Sequence, residues 1–174
     1  MRLKTERLVL RMLRPADAEW IAREIANPDV HKWLTSVPYP YGRRDGDFFV
    51  DKFKDNPGVR AILKEDEPLG VISIISAARL DASRPDALEL GYWLRAKAWG
   101  KGYMTEACRR MILWYSETGS GTLNSGWIEG NERSSHVLRK LGFQETGETH
   151  ARRSHFHGKD VPVIRVSLPE PRVA

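Results

Sequence analysis

Between Glu89 and Tyr115 a strand, a glycine-punctuated loop and a helix follow one another with almost nothing to spare, and this succession restricts the folds open to the chain. Glu-Leu-Gly-Tyr-Trp-Leu (89–94) alternates and is rich in aromatic and branched residues, as a strand requires. Met104, Ala107, Cys108, Met111, Ile112 and Tyr115 recur at i, i+3, i+4, i+7, i+8 and i+11, one apolar stripe along a helix. Gly100 and Gly102 lie at the joint. A helix that starts from a glycine loop leaves its first N–H groups unpaired and aimed the same way, and the helix dipole adds partial positive charge there. Such a turn suits a phosphate, and Lys101 strengthens the field. A tight turn that uses glycine only for its dihedrals is the other reading of the same residues. Two phosphate motifs are excluded. Gly102 follows Lys101 where a Walker loop needs Ser or Thr, and Gly100-x-Gly102 lacks the third glycine of the dinucleotide fingerprint.

Along the rest of the chain, Leu8, Leu10 and Met12 alternate as a first strand. Pro15, with Asp17 and Glu19 behind it, opens a helix carrying Ala18, Trp20, Ile21 and Ile25 that ends near Asn27-Pro28. A short helix through Val30, Trp33 and Leu34 leads into the irregular stretch 37–42, after which Asp45 is placed to cap a helix through Phe48, Phe49, Val50 and Phe53. Residues 60–63 and 69–76 read as an antiparallel pair, and 79–85 as a loop. The central helix spans about 102–117 and stops at Gly119-Ser120-Gly121. A strand over 122–128 and a helix from Gly130, closed by Gly142, repeat the strand-then-helix order; Phe143 opens a strand, and 161–168 is the last. One domain over 1–174 is expected.

Hydrophobic content of 41% and charged content of 29% are ordinary for a globular domain. No apolar run approaches the roughly 18 residues of a membrane span, and no secretory signal is visible, so the expected compartment is the cytoplasm and no membrane partner is expected. The single cysteine, Cys108, lies on the apolar stripe and reads as a core residue. Net charge is +5, but no Lys/Arg run exceeds a pair, so direct nucleic-acid binding is not expected. His155 and His157 flank Phe156 without a second ligand cluster, so no metal is expected; Arg152 and Arg153 read as a solvated basic turn.

The two strand–helix units carry a resemblance. Glu-Leu-Gly-Tyr-Trp-Leu with Trp-Gly-Lys-Gly-Tyr-Met-Thr-Glu-Ala, then Asn131-x-x-Ser134-x-x-Val137-Leu138-Arg139-Lys140-Leu141-Gly142-Phe143, resembles the acetyl-CoA-binding core of the GNAT N-acetyltransferase superfamily. The wording is similar to the RimJ/RimL-type branch, which includes the ribosomal-protein N-terminal acetyltransferases. Trp99 stands at the Gln/Arg position of the common pattern, Gly102 matches, and Met104 replaces its final small residue. The fold implied is an α/β (α+β) domain, a mixed, mostly antiparallel sheet of about seven strands with helices on both faces, splayed between the Glu89 strand and the Thr122 strand.

The activity implied by this resemblance is transfer of acetyl from acetyl-CoA, as co-substrate, to a primary amine in a ternary complex. Joining both reactants in one site removes several kcal/mol of barrier. The acceptor is a protein N-terminus or a small molecule, and the enzyme a monomer or homodimer. Trp99, Gly100, Lys101, Gly102, Tyr103, Met104 and Thr105 would hold the pyrophosphate, and Tyr92, Trp93 and Leu94 would pair with the pantetheine arm through their backbone. Asn131 and Ser134 would meet the same arm; helix capping explains both residues equally well. Many members carry a tyrosine as proton donor to the departing thiolate where this chain has Leu138; in the RimJ/RimL branch the donor is a serine, here Ser134. Glu89 is the candidate base, with an ordinary sheet-face carboxylate as the alternative. Trp33, Tyr39 and Tyr41, with Phe49, are the candidates to line the acceptor groove. A rival reading is a non-catalytic acyl-CoA-binding sensor or scaffold.

Overall fold

The structure, a computed structural model, describes residues 2–76, 88–119 and 121–168. The predicted 79–85 loop lies outside them. Eight strands form one sheet: β1 (Leu3–Lys4), β2 (Val9–Met12), β3 (Val59–Lys64), β4 (Glu67–Ser76), β5 (Leu88–Leu94), β6 (Leu123–Ile128), β7 (Gln144–Ser154) and β8 (Lys159–Leu168). Their spatial order is β1-β2-β3-β4-β5-β6-β8-β7. Every neighbouring pair is antiparallel except β5 with β6, which is parallel. The mixed, mostly antiparallel architecture is the one expected, with one strand more. That strand is β1, two residues long and too short to show a period; it is held by pairing Leu3 with Leu10 and Lys4 with Val9.

Helices cover both faces. α1 (Asp17–Ile25), α2 (Pro28–His31) and α3 (Arg43–Phe53) follow β2, while α4 (Tyr103–Thr118) follows β5 and α5 (Glu132–Lys140) follows β6. One core joins Leu10, Ile62, Ile72, Leu90 and Leu94 of the sheet to Met104, Ala107, Cys108 and Met111 of α4 and Leu138 of α5. The other joins Ala61, Val71 and Val59 to Trp20, Ile21 and Ile25 of α1 and Val50 and Phe53 of α3, with Trp93 packed against it. Alternation along β3–β5 supplies both cores from the same strands, and each buried Leu, Ile or Val contributes about 1.5–3 kcal/mol.

α1 is tied to β2 by Asp17. Its carboxylate accepts two N–H bonds from the Arg11 guanidinium (2.7 and 2.8 Å), one from the Trp20 indole (2.8 Å) and one from the Arg14 backbone (2.7 Å). Burial alone would push this carboxyl up, yet those bonds outweigh it and hold the pKa below its ordinary value. In α3 the expected cap is corrected. Gly42 is the N-cap residue and Asp45 lies inside the first turn, where its carboxylate reaches back to the Gly42 N–H at 2.8 Å. An acidic side chain satisfies orphan donors from either position, so residue type alone does not place the cap.

Candidate active site

β5 is paired with β4 along its whole length, from Leu88↔Ser76 to Leu94↔Gly70. With β6 it is paired only at Leu88↔Leu123 and Glu89↔Asn124, after which β6 continues alongside β8 alone. The expected splay is therefore present, and it begins past Glu89. The backbone N–H of Arg95 donates to Leu69 O across the β4 side at 2.8 Å. Counting back by twos, Trp93, Gly91 and Glu89 aim their peptide groups at β4, and Leu94, Tyr92, Leu90 and Leu88 aim theirs at the β6 side. Side chains take up several of these. Asn124 Nδ2 donates to Leu88 O (3.4 Å), the Ser125 hydroxyl to Leu90 O (2.8 Å) and the Trp99 indole to Leu94 O (2.9 Å). The peptide groups of Tyr92 face the parting, with no strand opposite among the described residues. Backbone groups in such a place need a partner, and an extended ligand with amide groups of its own supplies one.

The glycine loop stands directly after that strand. A 3-10 turn at Ala96–Ala98 leads to Gly100 (φ 73°) and Gly102 (φ 77°), both in the left-handed region that glycine adopts without strain. Gly102 is the N-cap of α4 and brings no side-chain cap; the first intrahelical bond is Glu106 N–H to Gly102 O at 3.1 Å. The N–H groups of Tyr103, Met104 and Thr105 thus have no acceptor within the helix. A methyl group built on Gly100 would find no atom within 4 Å, so the loop is open on that side. Lys101 is exposed there. Backbone donors, a helix N-terminus and a lysine fit a diphosphate.

Two groups of contacts hold this loop in place, one around Glu106 and Arg7 and one of cations over rings. The carboxylate of Glu106, in the first turn of α4, is bonded by the Thr5 hydroxyl, by the Arg7 backbone N–H (2.9 Å) and by Arg7 Nε (2.7 Å); Arg7 Nη1 also donates to Lys101 O at 3.1 Å. The Arg7 guanidinium lies over the Tyr103 ring, and that of Arg133, from the first turn of α5, lies 4.0 Å from the Trp99 ring centroid. Trp99 therefore braces the loop with its indole N–H spent on the strand, and a cation is stacked beside the loop. Met104 and Leu94 are core residues, so any part they play toward a ligand is through their backbone.

α5 approaches the parting from the same side. Asn131 is its N-cap, accepting the Ser134 N–H at 3.3 Å, which is the capping geometry read from sequence. The Ser134 hydroxyl is bonded elsewhere, 2.9 Å from the Tyr92 phenol. Burial, with the neighbouring Cys108 thiol, pushes the Tyr92 hydroxyl pKa up against the lowering effect of the Ser134 bond, so the phenol stays protonated. Cys108 is fully buried and its thiol is pushed up as well, which leaves it a packing residue rather than a nucleophile.

Glu89 faces the opposite side of the sheet, toward α1. Both its oxygens accept from the Arg165 guanidinium of β8, Oε1 from Nη1 at 2.8 Å and Oε2 from Nη2 at 3.0 Å. The two side chains are only 13% and 5% exposed. The guanidinium reaches Glu89 by crossing β6 at Gly126, which pairs with Arg165; a methyl group on Gly126 would come within 3.1 Å of Arg165 Nη1. Further along this face Trp33 packs on Ile128, Val161 and Val163. Tyr39, 46% exposed, makes edge contacts with His31 and Phe156 at centroid distances of 5.0 Å. Tyr41, 8% exposed, belongs to the α1–α3 core, where burial pushes its hydroxyl up, and Phe49 packs on Phe53. Tyr39 thus meets the turn between β7 and β8 through Phe156, while Trp33 packs on β6 and β8, and Tyr41 and Phe49 belong with the α1–α3 core. His157 donates to Lys32 O at 3.1 Å, tying that turn to the chain after α2, while His155 is exposed. Among the described residues no group of three His, Cys, Asp or Glu side chains is placed to hold a metal ion.

Sequence reasoning named Glu89 but missed Arg165, Arg7, Arg133 and the Tyr92 side chain. Arg7, beside Leu8 in the opening stretch, and Arg133, two residues past an N-cap, leave a faint local signal; Arg165 leaves none, because its partner is reached only across a third strand.

A family model described as an acetyltransferase (GNAT) domain matches residues 7–144. A protein of Bacillus subtilis (strain 168) named "Putative ribosomal N-acetyltransferase YdaF" is 31% identical over 151 residues, covering 82% of this chain and 81% of that protein. Among solved structures, an acetyltransferase (GNAT family) from Bacillus anthracis superposes with a TM-score of 0.81 at 20% identity, covering 97% of this chain and 98% of that one. RimL, a ribosomal L7/L12 α-N-protein acetyltransferase in complex with coenzyme A, superposes with a TM-score of 0.79 at 17% identity, with 97% and 98% coverage. At these identities the two structures speak for the fold.

Proposed function

Because the chain belongs to the GNAT acetyltransferase family and its RimJ/RimL-like branch, and is thus an acyl-CoA-dependent N-acetyltransferase, we propose that it moves acetyl from acetyl-CoA to the α-amine of a protein N-terminus by direct attack in a ternary complex. The parting of β5 from β6 past Glu89 and Asn124 carries this reading. Acetyl-CoA supplies an acyl group already activated as a thioester. The N–H groups of Tyr103, Met104 and Thr105, with Lys101, hold the diphosphate, and the gap-facing peptide groups of Tyr92 hold the arm as an added strand. The N–H groups on that edge are available to the acyl carbonyl, where charge builds during attack.

The amine has to be neutral. An α-amine, with a pKa near about 8, needs less help at neutral pH than a lysine near about 10.4, which favours N-termini as acceptors. The names "Putative ribosomal N-acetyltransferase YdaF" and RimL, a ribosomal L7/L12 α-N-protein acetyltransferase, support the same acceptor class. Glu89 is the proposed base. Arg165 engages both its oxygens, so the proton that reaches the carboxylate from the amine, directly or through one water, weakens one of the two bonds. Trp33 and Tyr39 border the acceptor.

The test is calorimetric titration with coenzyme A and acetyl-CoA, followed by thiol release with a serine-initiated peptide, its N-acetylated control, free lysine and a polyamine. Expected are binding of both coenzyme forms and thiol release with the free-N-terminus peptide alone. Binding without thiol release from any amine would overturn the enzyme reading in favour of a sensor; no binding would remove the site itself.

A further inference from the structure

We propose that the Tyr92 phenol is a positioning residue: by donating to Ser134 it leaves the Ser134 hydroxyl proton free to bond the sulfur of coenzyme A as the acyl group departs. The proposal rests on the coenzyme site described above and assigns a use to a side chain that the backbone pairing of β5 does not explain.

Three observations carry it. A serine in the first turn of a helix ordinarily caps an N–H or bonds back to a carbonyl of its own helix. Ser135, its neighbour, does so, donating to Glu132 O at 3.1 Å. Ser134 does not. Its backbone N–H is capped by Asn131, and its hydroxyl is 2.9 Å from Tyr92 Oη. Second, Tyr92 Oη also lies 3.3 Å from the Ser134 carbonyl oxygen, which can only accept. The phenol has one proton, and the place of Tyr92 Oη beside both oxygens of one serine fits a three-centre bond, shorter to the hydroxyl oxygen at 2.9 Å than to the carbonyl oxygen at 3.3 Å, with Tyr92 as the donor. Ser134 Oγ then receives a bond and keeps its own proton for another acceptor, and a hydroxyl that accepts a bond becomes a better donor. Third, Tyr92 is one of the β5 residues whose peptide groups face the parting, so part of the strand edge that would hold the arm and the side chain that orients Ser134 belong to one residue.

The bookkeeping of protons closes within the site. The C–S bond breaks, its electron pair stays on sulfur, and the thiolate accepts a hydrogen bond from Ser134 Oγ–H. The serine retains its proton, the phenol retains its own, and no external acid is required for departure.

The experiment titrates the thiol of bound coenzyme A by thiolate absorbance, which needs no acceptor amine. It compares the parent chain with Tyr92→Phe, Ser134→Ala and the double variant. Desulfo-coenzyme A affinity is measured alongside, because a merely structural loss would weaken it. A hydroxyl aimed at sulfur stabilises the thiolate, so the bound thiol should ionise about one pH unit lower in the parent than in either single variant, tenfold in ionisation constant. The double variant should shift no further than the singles, and desulfo-coenzyme A should bind all four alike. Equal ionisation in the parent and Tyr92→Phe, with Ser134→Ala displaced, overturns the positioning role alone. Additive displacements in the double variant do the same. An unchanged Ser134→Ala overturns the use of that hydroxyl, and failure of the parent to bind coenzyme A overturns the underlying site.

Discussion

Replacing Glu89 by Gln tests a residue with two separable duties. The Glu89–Arg165 pair is bidentate and almost excluded from solvent, and Arg165 Nε is itself a buried atom without a partner. Removing one charge from a buried pair leaves the other uncompensated, at a cost of about 3–5 kcal/mol; glutamine keeps one acceptor oxygen, so the lower end applies. For a chain of this size each kcal/mol lowers the melting temperature by roughly 2–4 °C, which gives a fall of roughly 6–12 °C for about 3 kcal/mol. Thermal unfolding near neutral pH measures it. Replacing both partners, Glu89→Leu with Arg165→Met, exchanges the pair for apolar groups of similar length and should recover most of the loss, since such exchanges are often neutral or stabilising. Acetyl transfer, assayed well below every melting temperature, should stay low in both variants if Glu89 also serves the amine. A melting temperature within about 1 °C of the parent for Glu89→Gln would refute the structural reasoning. Full activity in the stable double variant would refute the base.

Two further perturbations address the frame around the site. In Gly126→Ala the new methyl group meets Ile164 O at 2.8 Å, Val163 Cγ1 at 2.9 Å and Arg165 Nη1 at 3.1 Å; the backbone oxygen cannot swing away. Overpacking of this kind costs about 1–3 kcal/mol, so the melting temperature should fall, and an unchanged value would show that β6 and β8 can separate locally. At Glu106, burial raises the carboxyl pKa but the bonds from Thr5 and Arg7 outweigh it and leave it below its ordinary value. A depressed folded-state pKa contributes stability that is complete above the unfolded value of about 4.3 and is lost as pH falls through the lower, folded one. Glu106→Gln should therefore melt below the parent near pH 7, by an amount worth about 1 kcal/mol given the exposure of Arg7, and the two should converge as the pH falls through the lowered folded-state value. A gap that stays constant down to acid pH would refute the latch.

The parts of this fold that could be read from sequence are those written in local periods. The α4 stripe and the alternation of β5 are visible within a dozen residues, and the glycines between them announce a joint. What could not be read is where distant chemistry meets it. Arg165 sits in a strand whose alternation reads like any other, and its partner is brought near by the sheet order and by the absence of a side chain at Gly126. Glu106 looks like a routine first-turn acid of α4, yet it is satisfied by Thr5 and Arg7 from the other end of the sequence. β1 escapes notice because two residues have no period, and Asp45 was misplaced because an extended Gly42 (φ −125°, ψ −177°) takes the cap instead.

A strand of period two is well suited to serving two reactants from opposite sides. Glu89 and Tyr92 lie three positions apart, an odd offset, so one faces the α1 side with Trp93 and the other faces α4 and α5. The peptide plane between them is exposed by the parting from β6, which makes the edge of β5 common to both sides. A one-residue slip of β5 against β4 would exchange the faces, carrying Glu89 into the core with Cys108 and Tyr92 under Trp20. The register that prevents this is seven pairs long and is set by burial on both faces, Leu90 and Leu94 on one and Trp93 against Val71 and Trp20 on the other. Packing on either side of β5 thereby determines which chemistry each reactant meets.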